Sequence, residues 1–155
     1  NAIVCFTCRY PMSHDIFVQA HLDGGWQQIP TEEVLACFAP FIKQREDTFV
    51  DLEFDEYNSS TLYFKATRPT CTGFMLNHPC GDERLFECVF KVMHLGNFVL
   101  YEGGPERFIV LKEETIAHMP KDMVEALGEA NITPDFESFM DAYRKGWDAL
   151  EEGER

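Results

Sequence analysis

Thr48-Phe49-Val50-Asp51-Leu52-Glu53-Phe54-Asp55 alternates without a break. Val50, Leu52 and Phe54 point one way; Phe49, Asp51, Glu53 and Asp55 point the other. Successive strand side chains face opposite sides of a sheet, so this stretch reads as a strand with one buried and one wet face. Residues 61–67 repeat the pattern, with Leu62, Phe64 and Ala66 on the apolar side. The polar residues 56–60 lie between the two runs and read as a turn. The pair predicts an antiparallel hairpin, and with it a sheet packed on one face only.

The same reading extends in both directions. Residues 2–7 are apolar and read as a first strand, followed by a loop over 8–15. Residues 16–22 alternate again and stop at Asp23-Gly24-Gly25, with a short return strand over 26–29. Thr31 is placed as the cap of a helix carrying Glu32 and Glu33 in its first turn, where the dipole favours anions. Val34, Leu35, Phe38, Phe41 and Ile42 continue that helix at helical spacing. Pro40 either kinks the helix or starts a second one.

Towards the C-terminus, 73–76 reads as a strand. Gly81 or Asp82 opens a helix that runs to Leu95 and stops at Gly96. Its apolar residues cover more than half the circumference, which makes it the most buried helix. Residues 97–102 and 107–111 flank Gly103-Gly104-Pro105 as a second hairpin. Short helices follow over 113–118 and 121–127, the latter ended by Gly128. Thr133-Pro134 starts the last helix, striped by Phe136, Phe139, Met140, Tyr143, Trp147 and Leu150, with residues 151–155 expected to fray. The fold class is therefore α+β: a single domain over residues 1–155, a mainly antiparallel sheet built from hairpins, and helices packed on one side.

Composition agrees. The chain has 155 residues, 45% hydrophobic and 14% aromatic, with 14 Phe, too much apolar surface for a disordered chain. Lys and Arg number 13 against 27 Asp and Glu, giving a net charge of −14. Such a field disfavours a nucleic-acid backbone or an anionic membrane and favours a basic protein partner. No apolar run approaches the ~20 residues of a membrane span. A reducing, cytoplasmic setting with mostly free thiols is expected for the six cysteines. The wealth of apolar residues leaves room for a homodimer face.

Chemical motifs are sparse. No Gly-x-Ser-x-Gly elbow, His-Glu-x-x-His pair, phosphate loop or dinucleotide fingerprint occurs, so no catalytic residue, metal ligand or cofactor is assigned. Cys5-x-x-Cys8 has metal or redox spacing, and Cys71, His78 and Cys80 could supply the remaining ligands. A zinc or thiol-redox protein centred on Cys5 and Cys8 with Cys71 and Cys80 is thus the alternative reading. Cys37 and Cys88 fall in apolar helical patterns and read as small buried hydrophobes. The sequons at Asn58 and Asn131 carry little weight.

The sharpest local feature is acidic. Glu46, Asp47, Asp51, Glu53, Asp55 and Glu56 fall within eleven residues without one base. Asp51, Glu53 and Asp55 are expected in a row at about 6.5–7 Å spacing, with Phe49 and Tyr57 at its ends. Carboxylates bordered by aromatics grip Lys and Arg side chains and speed encounter with a cationic surface. Phe49, Asp51, Glu53, Asp55 and Tyr57 are therefore the expected partner-binding residues. The expected function is a small, non-enzymatic, inhibitory protein, of which a bacterial immunity protein neutralising a basic toxin is an example.

Overall fold

The computed structural model describes residues 15–77, 79–102 and 107–154, with side chains described up to residue 145. Eleven strands are present among these residues: β1 (Ile16–Leu22), β2 (Gly25–Trp26), β3 (Ile29–Pro30), β4 (Ile42–Arg45), β5 (Phe49–Glu53), β6 (Ser59–Tyr63), β7 (Thr70–Cys71), β8 (Gly73–Leu76), β9 (Phe98–Glu102), β10 (Phe108–Val110) and β11 (Asn131–Ile132). The helices are α1 (Thr31–Ala36), α2 (Glu83–Met93), α3 (Glu114–His118), α4 (Lys121–Leu127) and α5 (Phe136–Glu154), with a 3-10 turn at Ala39–Phe41. One large sheet runs β11-β10-β9-β1-β8-β6-β5-β4, with β2 folded onto the end of β1. Every pairing in it is antiparallel except β10 with β11. β3 and β7 form a separate two-stranded ribbon. The α+β class and the mainly antiparallel sheet follow the sequence expectation.

Val50 and Leu52 are buried on β5 and Leu62 on β6, as the alternation requires. They join Ile16, Val18, Leu76, Leu100 and Ile109 in one core beneath α1, α2 and α5. α2 supplies Leu85, Phe86, Cys88, Val89, Val92 and Met93, all buried. Its N-cap is Asp82, whose carboxylate accepts from the Arg84 N–H. α5 supplies Phe139, Met140 and Tyr143, and Asp135 caps its start by accepting from the Ser138 N–H at 2.8 Å. The principal helices thus share one face. The short α3 and α4 lie on the other face at the β10 end, where Val99, Phe108 and Val110 pack with Met119, Ile116, Val124 and Leu127.

Several boundaries differ from the sequence reading. Pro30 holds the N-cap position of α1 and Thr31 is its first, buried residue, because pairing of Pro30 with Thr70 fixes the preceding backbone as strand. α1 ends at Ala36, and Pro40 sits in the first turn of the 3-10 segment, the second of the two arrangements it permits. The chain then becomes β4, an edge strand whose only apolar residue is Ile42 and which therefore leaves no periodic signal. β11 is two residues long and equally silent. The last helix extends to Glu154. The expected strand over 2–7 lies outside the described residues.

Gly73 is required by a close approach. Its φ is +136°, and a Cβ there would fall 1.9 Å from the Val18 carbonyl oxygen on the neighbouring strand. This contact seats β8 against β1 at the centre of the sheet.

Candidate protein-binding face

β5 presents Phe49, Asp51 and Glu53 on the face opposite the core. The Asp51 carboxylate accepts from the Thr61 hydroxyl of β6 at 2.9 Å. Glu53 meets Lys43 of β4 at 3.1 Å in an exposed pair, the kind that solvent screens heavily. A polar cleft of about 330 Å³ lies here, lined by Lys43, Asp51, Glu53, Ser59 and Thr61 among others.

The expected carboxylate row stops at Glu53. Asp55 lies beyond the strand and folds back as a turn cap, accepting from the Tyr57 and Asn58 N–H groups at 2.8 and 2.9 Å. Arg84, at the start of α2, donates to Asp55 at 2.8 Å and to Asp82 at 2.6 Å, tying the β5–β6 turn to that helix. The Tyr57 N–H, the Asn58 groups and the Arg84 guanidinium hold the Asp55 carboxyl below its ordinary value. Tyr57 stands 87% exposed at the turn tip, away from Phe49. The chain reverses after Glu53, and side-chain alternation has no force in a turn. Of the five expected residues, the fold keeps Phe49, Asp51 and Glu53 together and gives Asp55 a structural task.

Strand pairing assembles something the sequence does not display. Phe49 is the register partner of Tyr63, Tyr63 of Met75, Met75 of Phe17, and Phe17 of Tyr101. The five residues form a row crossing β5, β6, β8, β1 and β9, about 19 Å long at normal strand spacing. Phe17 and Tyr101 stack with ring centroids 5.2 Å apart. Beyond Tyr101 the row continues to Phe108, which is buried under α3 and α4. Phe17, Met75, Tyr63 and Phe49 belong to neither buried cluster, and Tyr63 is 43% exposed. Asp51 and Thr61 lie one pleat further along β5 and β6, so the row has a polar, acidic border.

Alternation alone assigns Phe17 and Tyr63 to the non-core side, but which strands lie adjacent decides that they meet. Alternation also fails at His21, which is buried although it follows buried Ala20. There β2 folds over the end of β1, and Trp26 stacks on the His21 ring at 4.9 Å.

Cys5, Cys8 and His78 lie outside the described residues. Among the described residues no three His, Cys, Asp or Glu side chains converge as metal ligands. Cys71 and Cys88 are buried, and burial raises both thiols, Cys88 to about 11. Cys37 is half-buried, is raised for the same reason, and contacts the Glu33 carbonyl. These groups are protonated and behave as packing residues at neutral pH. Among the described residues no helix is long and apolar enough to cross a membrane.

No protein-family model matches the chain, and no curated protein or solved structure matches it either.

Proposed function

We propose that the protein is a small acidic binding protein that recognises a basic protein partner, with the β5 face as its electrostatic centre. One observation carries this reading: Asp51 and Glu53 stand beside Phe49 on the part of the non-core sheet face that belongs to neither buried cluster, the second cluster covering that face only at its β9–β10 end. An ion-pairing surface that must stay available has to avoid the core, and this one does. The net charge of −14 supplies the long-range field that draws a cationic partner in. An inhibitor of a basic enzyme or toxin, of the bacterial immunity type, is the functional class that fits this charge, this size and the lack of a catalytic motif in the sequence.

The test is association kinetics against a partner captured from the source lysate. With Asp51→Lys/Glu53→Lys, the association rate falls at least tenfold at low salt, and the difference shrinks as ionic strength rises. An association rate unchanged by charge reversal, or indifferent to salt, removes β5 as the recognition site.

A further inference from the structure

The acidic strand is one border of a larger surface. We infer that the transverse row Phe49–Tyr63–Met75–Phe17 is a docking platform for a basic amphipathic segment of another protein, apolar on the side that meets the row and carrying Lys or Arg towards Asp51 and Glu53. This inference rests on the proposed function and names the kind of partner segment that the site takes.

Geometry sets the shape of the occupant. The row from Phe49 to Tyr101 spans about 19 Å, the length of about six extended residues. At its far end Tyr101 packs against the cluster under α3 and α4, which closes the platform on that side. At its near end the edge strand β4 is guarded. It has a register shift between Ile42 and Gln44, and its Lys43 and Arg45 are paired with Glu53 and Glu32. Bulges and charges at an edge oppose strand addition, so the partner meets the face and not the edge.

Charge selects the chemistry. Asp51 receives a hydroxyl from Thr61 and has no cation among the described residues. A Lys or Arg from the partner completes it. A second copy of the chain would bring another −14 to the same face. That repulsion disfavours a homodimer through this surface. An apolar row with an acidic border therefore discriminates in favour of an apolar segment with a basic border.

The full-length chain, labelled with ¹⁵N, is titrated with a 14-residue peptide of alternating Leu and Lys, at physiological salt. The expected result is a set of amide shifts concentrated at residues 15–19, 49–53, 61–63 and 73–77. A peptide with Glu in place of Lys gives none. Tyr63→Ser and Met75→Ser each weaken binding about five- to tenfold, while Tyr63→Phe retains it. The spectra of the variants report directly whether they remain folded; if the Ser variants do not, the native chain decides, since shifts confined to residues 49–53 and absent from 15–19 and 73–77 overturn the platform. Binding that is lost in Asp51→Asn/Glu53→Gln but untouched in both Ser variants overturns the platform and leaves the acidic-strand reading standing. No binding by either measure overturns both. Concentration-dependent dimerisation, or contacts from residues 1–14 to Phe17, Met75 or Tyr63 in the free protein, overturns the platform by giving the face another occupant.

Discussion

Glu102 and Arg107 close the gap between β9 and β10 with a 2.9 Å ion pair, and neither side chain is more than 1% exposed. Arg107 also donates Nε–H to the Tyr143 carbonyl at 3.0 Å, and its guanidinium lies 4.1 Å from the Tyr143 ring centroid. One buried cation thus ties the second hairpin to α5. Its desolvation is offset only while its partners are in place. Arg107→Met should cost about 3–5 kcal/mol because it removes the cation paired with the buried Glu102 carboxylate. The double variant Glu102→Leu/Arg107→Met should recover part of that loss. Urea unfolding of the four chains of this cycle checks it, and additive losses would mean that the pair is not coupled.

His21 makes stability depend on pH. Its ring is buried against Trp26, and desolvation pulls its pKa below the ordinary 6.5, opposed in part by the hydrogen bond to the Gly25 carbonyl. The folded state therefore takes up its proton less readily than the unfolded chain. The stability it contributes is complete above pH 6.5 and is lost as pH falls from 6.5 towards the folded-state value. Melting temperatures between pH 8 and pH 5 should fall through this window in the native chain. In His21→Gln they should start lower but fall less, and parallel curves for the two proteins would assign the effect elsewhere.

Gly73→Ala tests the contact between the central strands. The new methyl group meets the Val18 carbonyl at a φ that L-residues rarely adopt. The expected loss exceeds about 2 kcal/mol, read as a lowered urea midpoint. Gly24→Ala is the companion control: its φ is also positive, but nothing lies within 4 Å. It should cost about 1 kcal/mol, from backbone strain alone. Equal losses would show that the approach of β8 to β1 contributes nothing.

The thiols offer a chemical check of the α2 packing. At pH 8 a thiol with a pKa of about 11 is ionised in about one molecule in a thousand. Brief iodoacetamide treatment of the native protein should leave Cys88 and Cys71 unmodified, and urea should expose both. Mass spectrometry of the digested protein reads the outcome. Rapid native labelling at Cys88 would contradict its place in the core.

Much of this fold is written locally. The alternation of residues 49–53 specifies β5 because a pleated strand puts every second side chain on the same face, whereas the strand expected over 61–67 is β6 (Ser59–Tyr63), which takes in two residues read as turn and ends before Phe64. The apolar surface of α2 and the stripe Phe136, Phe139, Met140 and Tyr143 specify buried helices for the equivalent reason at a period of 3.6. Net charge and the carboxylates of β5 are likewise legible without coordinates. Tertiary structure alone placed β1 between β8 and β9, residues more than fifty positions away, because strand order depends on which faces pack and not on neighbouring residues. That placement brings Phe17 beside Met75 and Tyr101 and makes a continuous row from residues that look unrelated in the chain. It also turned Asp55 from a surface carboxylate into the clamp between a turn and Arg84, since only the folded chain brings position 55 to position 84.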